Sequence, residues 1–182
     1  MVQDSDDSLI DIVASALGKR IGRTLNDDLT NGNGSSEPQG VVTAATDFSL
    51  SAALSVNHLL DLKASVDPEY QDSPSSAFMV SLSNFTAMKK LFAGNMAFET
   101  SPSNAGLLHF SDGSLVVQNK NLADTTILFS DWSNYVTVIF KDIEVRLLEH
   151  RVVDAHQVSF ISFARFGGGL AVPAAIKKAT VS

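Results

Sequence analysis

The side chains able to do chemistry are few and scattered. Four histidines, His58, His109, His150 and His156, fall in different predicted elements. No pair has the i, i+4 helical spacing or the His-x-His alternation by which two imidazoles reach one metal ion, so they read as surface histidines. The paired carboxylates Asp6 with Asp7 and Asp27 with Asp28 are adjacent and diverge on a helix; they are solvated charge or complements to the helix dipole. Asp27, Asp28, Asn31, Asn33 and Glu37 have the composition of a calcium loop, yet the Asp-x-Asn-x-Asn-Gly register cannot be laid over them, and a helix stop is the better reading. The glycine runs Gly32 to Gly34 and Gly167 to Gly169 lack both the Gly-Lys-Ser/Thr ending of a phosphate loop and dinucleotide-binding spacing, which leaves them as turns. No serine sits in Gly-x-Ser-x-Gly, so there is no nucleophile elbow. Cysteine is absent, which removes disulfides, thiolate metal sites and cysteine nucleophiles together. Accordingly no catalytic, cofactor-binding or metal-ligating residue is assigned, and no cofactor is expected.

Asp131 and Trp132 stand out more. The single tryptophan follows an apolar strand, where its choices are core packing or an intersubunit contact, with packing preferred. Arg146, Arg151, Arg165, Glu144 and Glu149 lie on predicted long strands, with intrachain pairs or plain exposure the expectation for each and pairing to neighbours the alternative.

The elements that carry these residues begin with Asp4 to Gly40. Leu9, Ile10, Val13, Leu17, Ile21, Leu25 and Leu29 recur at three- and four-residue spacing, an α-helix with one buried stripe. Ser5 or Ser8 could cap it, and Asn31 to Gly34 with Pro38 stop it. From Asp6 to Thr30 the helix would be roughly 37 Å long, and its stripe winds enough to require more than one packing partner.

Beyond it, Val41 to Ala45 reads as a short strand, Ser49 to Ser65 as a second amphipathic helix, and Asp67 to Ser76 as a polar connection. Phe78 to Leu82 reads as a buried strand, with Asn84 capping a short helix through Leu91. Gly94 to Gly106 reads as a surface loop or hairpin. Leu115 to Gln118, Thr126 to Phe129 and Tyr135 to Phe140 suggest a meander, followed by strands at Ile143 to Leu148 and Val158 to Phe166. Large apolar groups on both faces of the last predict cover on both sides. Gly167 to Gly169 would then reverse the chain into a final strand at Val172 to Ile176.

With 182 residues and 45% hydrophobic content, one domain or two small lobes sharing a core is expected. No apolar run reaches the roughly 18 residues of a membrane helix, and the acidic start lacks the features of a signal peptide, so a soluble, intracellular chain is expected. A net charge of −7 disfavours free-standing nucleic-acid binding.

Several blocks resemble the major capsid proteins of tailed bacteriophages. They are Asp4 and Ser5, Gly22 to Asn26, Thr30 to Gly34, Pro38 to Val41, Thr126 to Tyr135 (TILFSDWSNY), and Ile143 to Ala175 with Arg165, Gly167 to Gly169, Pro173, Ala175 and the following Ile176. Their order spans nearly the whole chain. Ser130 departs from the glycine usual in that family, a change expected to touch only a local turn. The resemblance implies an α+β fold of the Hong Kong 97 type, with the first helix as its spine. Residues 1–40 and 141–170 would form a peripheral lobe, and residues 41–140 and 171–182 an axial lobe. An N-terminal arm and an extended loop normally precede the spine helix. The chain starts at the helix instead, so truncation, an internal start or a decayed prophage gene is expected, with Val2 and Gln3 a stub and strand edges left unpaired. The resemblance further implies a structural, non-enzymatic protein that self-associates into pentamers and hexamers and an icosahedral head shell enclosing DNA. Scaffold, protease and portal are possible partners, without sequence-specific nucleic-acid or membrane binding. The location implied is the virion, after assembly in the bacterial host cytoplasm. The alternative is a small α/β ligand-binding domain or enzyme, whose signature would be convergent polar groups in a pocket.

Overall fold

The structure, a computed structural model, describes residues 6–52, 54–92, 98–100, 108–110, 113–148 and 159–181. Helix α1 (Asp6–Asn31) runs for 26 residues, roughly 39 Å. A single helical turn, α2 (Val41–Ala44), follows where a strand was expected: Gly40 carbonyl accepts from Ala44 N–H at 2.9 Å, so the β-branched pair Val41 and Val42 is outweighed by closure of one turn behind the helix stop. Next come β1 (Thr46–Ala52), α3 (Val56–Ala64) and α4 (Pro68–Gln71). The second helix is therefore shorter than its periodicity suggested. Leu50 belongs to β1, which pairs parallel to a later strand, and Ser55 caps α3 by accepting from His58 N–H at 3.4 Å.

Strand β2 (Ser76–Val80) leads into α5 (Leu82–Phe92). Here Ser81, not Asn84, sits at the helix start, its hydroxyl accepting from Asn84 N–H at 3.3 Å. Asn84 instead donates to the Asp124 carbonyl at 2.7 Å. After it come β3 (Phe98–Thr100), β4 (Leu108–Phe110), β5 (Leu115–Gln118), β6 (Thr126–Asp131), β7 (Tyr135–Leu148), β8 (Ser159–Leu170) and β9 (Ile176–Val181). The rest of the Gly94 to Gly106 segment around β3 lies outside the described residues.

The strands make a seven-stranded sheet, ordered β1-β9-β6-β2-β5-β4-β3, and a separate ribbon of β7 with β8. The expected meander does not form. β5 pairs parallel to β2, β6 lies antiparallel on the other side of β2, and β7 leaves for the ribbon. The two runs expected as Tyr135 to Phe140 and Ile143 to Leu148 are one continuous strand. The Gly167 to Gly169 run stays extended inside β8, opposite Val138, Thr137 and Val136, rather than reversing the chain. Reversal is made by a 3-10 turn, Pro173–Ala175.

Every residue of β6 is buried, since it lies between β2 and β9 with both sheet faces covered. On one face Phe78, Ile127 and Phe129 pack against Leu59 and Leu62 of α3 and against Phe85 and Met88 of α5. Phe129 and Phe110 lie 4.6 Å and 5.8 Å from the Phe78 ring in tilted arrangements, each aromatic pair adding about 0.5–1.5 kcal/mol beyond area burial. On the other face Leu128 and Ile176 meet Val41 and Leu122, with Trp132 and Tyr135 at the margin. Ser130 is the fifth of the six residues of β6, paired with Ala77 on one side and Ile176 on the other, not in a turn.

Candidate interaction surface

Helix α1 ends in a tight backbone reversal. Asp28 carbonyl accepts from Gly32 N–H at 2.8 Å, Gly32 carbonyl from Gly40 N–H at 2.9 Å, and Asn33 pairs with Gln39 in an antiparallel bridge. A Cβ on Gly32 would lie 2.2 Å from Pro38 O and 2.3 Å from Asp28 O, which only glycine avoids. Asn33 Oδ1 accepts from Ser35 and Ser36 N–H at 2.8 and 3.1 Å. These are turn contacts, so the calcium-like residues serve the helix stop. Asp28, with its carboxyl raised by burial and then by Glu37 and Asp27, is not arranged as a cation ligand. Among the described residues, no group of three or more His, Asp or Glu could hold a metal ion.

Two sets of contacts fix the helix. On one side Leu17, Ile21 and Leu25 face Ser162, Ala164 and Phe166 of β8 across a groove of about 530 Å³. Gly168 approaches so closely that an added Cβ would sit 2.7 Å from Leu29 Cδ2 and 2.9 Å from the Tyr135 hydroxyl. That hydroxyl donates to the Gln39 carbonyl at 2.7 Å, and burial raises its pKa. On the other side the joint is made of amides. Asn119 Oδ1 accepts from Asn26 Nδ2 at 2.9 Å, Asn119 Nδ2 donates to Thr30 Oγ1 at 2.8 Å, and Asn31 Nδ2 donates to the Asn121 carbonyl at 2.9 Å. The stripe thus meets one strand, while a polar seam holds the helix to the sheet. Along 11–31, Thr30 is the one fully buried helix residue.

The ribbon is the apolar surface. Pairing of β7 with β8 slips by one extra β7 residue between Ile139 and Lys141, and again between Lys141 and Glu144. Each β-bulge twists the strand and turns the following side chains to the other face. Val136, Val138 and Ile139 before the first bulge, Phe140 within it and Ile143 after it are all exposed, Ile139 by 63% and Phe140 by 65%, and Phe163 of β8 is exposed too. Strand β8 is therefore covered on one side only, by α1, contrary to the expectation of two covered faces. Lys141 Nζ lies 2.6 Å from Glu144 Oε2, and Arg146 also pairs with Glu144. The hydrogen bond from Arg146, then that from Lys141, holds the Glu144 carboxyl down at about 2. Arg165 stands 5.5 Å over the Phe140 ring.

Of the remaining sequence candidates, Trp132 is half-buried, its indole N–H donating to the Ala77 carbonyl at 3.1 Å while its ring packs on the second core face. Asp131 is buried and accepts from Ser133 N–H and Oγ at 3.1 and 2.7 Å, which starts the turn into β7. His58 lies on α3 and His109 on β4, well separated. His150, His156, Arg151 and Glu149 lie outside the described residues. The sequence reading missed the amide joint. Its signal was a pair of asparagines near the end of α1, Asn26 and Asn31, and another pair just after β5, Asn119 and Asn121, which no local pattern connects.

A long helix laid against a bulged antiparallel ribbon, joined to a sheet covered on both faces, is the Hong Kong 97-type capsid architecture. The whole chain matches 70% of the capsid protein in "Capsid of empty GTA particle computed with C5 symmetry", with a TM-score of 0.79 at 18% identity. It also matches proteins of Gordonia phage Cozz (96% of this chain, 64% of that one, TM-score 0.65, 14% identity) and Mycobacterium phage Che8 (91% and 60%, TM-score 0.62, 19% identity). The chain thus spans about 60–70% of the length of these relatives. The search of curated proteins found no match. By a family model that matches residues 1–181, the chain belongs to the phage capsid family, and it is a structural capsid protein rather than an enzyme.

Proposed function

We propose that this chain associates with copies of itself into pentamers and hexamers, and through them into a closed icosahedral head shell around DNA, assembled in the host cytoplasm. The observation that carries the reading is the run Val136 to Ile143, in which large apolar side chains stand exposed on both faces of a strand whose outer edge has no partner among the described residues. A two-stranded ribbon is marginal alone, and contiguous exposed apolar surface marks an interface. Cover by neighbouring copies would remove both liabilities. Residues 1–40 and 141–170 make the peripheral lobe, and residues 41–140 and 171–182 the axial lobe. Tyr135 to Phe140 carries the ribbon from one into the other. Scaffold, protease and portal proteins are further partners in this reading. The mechanism is surface complementarity without a chemical step.

The test is mass by size exclusion with light scattering across protein concentration, with negative-stain electron microscopy of the same samples. Rings or shells are expected, and Phe140→Asp should abolish them. A wild-type chain that stays monomeric at every concentration would refute the reading.

A further inference from the structure

Strands β2 and β5 are parallel neighbours, so their two ends lie at opposite edges of the sheet. At the carboxyl ends, beside Met79 and Gln118, a cavity of about 760 Å³ opens between the sheet and α1, lined by the cations Lys19, Arg23 and Lys120. Lys19 and Arg23, four residues apart, share one helix face. All three are exposed, and no ion pair holds any of them among the described residues. Among the described residues Asp27 is the one carboxylate in the lining, and it already accepts from Asn31 Nδ2 at 2.9 Å.

The amino ends of the same strands carry the opposite sign. Asp67, Glu69 and Asp72 stand exposed on α4 and its flanks, just before β2. Lys63 pairs with Asp72 at 3.4 Å, leaving the turn acidic. Five residues of β2 separate the two edges by at least about 15 Å, too far for the charges to neutralise each other within one chain.

We propose that this cavity receives the Asp67 to Asp72 turn of a second copy. The inference rests on the self-association proposed above and adds its polarity. Two different patches meet, so the contact is heterologous, and its repetition closes rings or extends open chains. The net charge of −7 makes copies repel elsewhere, so a basic cavity facing an acidic turn sets which way round they dock. The acidic Asp67 to Asp72 turn is present on every copy of this chain, whereas a nucleic-acid phosphate, which would meet the same three cations, would have to come from outside.

A charge-swap cycle tests it, read as association by light scattering at low and high salt for the wild-type chain, Lys120→Glu, Glu69→Lys and the double variant. Both positions are exposed, and thermal melts check that each variant is folded. Each single reversal should weaken association by about tenfold, and the double variant should restore it. Single variants that associate like wild type, or a double variant no better than the singles, would overturn the pairing while leaving self-association intact. A wild-type chain monomeric at every salt would refute self-association itself. Saturable binding of a duplex oligonucleotide, lost in Lys120→Glu while association persists, would overturn the pairing and assign the cavity to phosphate.

Discussion

Ser130→Ala should make this protein more stable, although it deletes a buried atom. Ser130 has no solvent exposure, and its hydroxyl has no hydrogen-bond partner among the described residues. Its backbone pairs with Ala77 on β2 and Ile176 on β9, and the substitution leaves those bonds in place. A buried polar group without a partner costs about 1–3 kcal/mol, and alanine removes that cost. Against it stands the loss of one packed oxygen, a void smaller than a methyl group and worth less than about 1 kcal/mol. The balance favours the variant by about 0.5–2 kcal/mol. At this size each kcal/mol moves Tm by about 2–4 °C, so Tm should rise by about 1–8 °C. Denaturant unfolding followed by circular dichroism gives the free energy directly, with an unchanged slope required if only stability has changed. Ser130→Gly separates hydroxyl from backbone: it also removes the unpaired group but adds about 0.5–1 kcal/mol of strand entropy, so it should fall below alanine. A Ser130→Ala variant destabilised by 1 kcal/mol or more would show that the hydroxyl is hydrogen-bonded in solution, and the reasoning would fail.

Gly168→Val should lose about 1–3 kcal/mol, because its Cβ meets Leu29 and the Tyr135 hydroxyl inside 3 Å; calorimetry measures the loss, and a neutral result would mean that α1 does not rest on β8. Asn119→Ala should cost about 1–3 kcal/mol by leaving Asn26 and Thr30 without their shared partner, with amide exchange rising first in the last two turns of α1. The carboxyl of Glu144 is held at about 2 by Arg146 and Lys141, below its unfolded value. Its contribution to stability is therefore present above the usual glutamate range and is lost as pH falls through about 2; an NMR titration giving an ordinary glutamate value would break up the cluster at the bulge. The same contribution should shrink with added salt, because all three side chains are solvent-facing.

Much of this protein was legible along the chain wherever local chemistry decides the outcome. The α1 stripe from Val13 to Leu29, its stop at Asn31 to Gly34, and the apolar runs of β2, β5 and β6 each follow from nearest-neighbour preferences. The likeness to phage capsid proteins came from the order of such blocks and was met by a family match over residues 1–181. Reading failed where a distant partner chose the conformation. Leu50 fits a helical period, yet its segment is taken as a strand because β9 offers it a parallel edge. Gly167 to Gly169 has every local feature of a reversal but is held extended by the ladder to Val136 to Val138, and the missing side chains let α1 and Tyr135 come close.

The candidate surface divides in the same way. That Val136 to Ile143 is rich in apolar residues stands in the sequence; that these side chains face solvent follows from the pairing of β7 with β8 as a ribbon apart from the main sheet. Lys19, Arg23 and Lys120 are ordinary surface cations in sequence and become one cavity only because α1 is laid beside the end of β5. Composition and period determined most of the local elements, since each depends on side chains within a few residues of one another, while the likeness to the capsid family lay in the order of blocks along the whole chain. Register, exposure and the meeting of charges were decided by the tertiary structure, because each requires groups scores of residues apart to find one place.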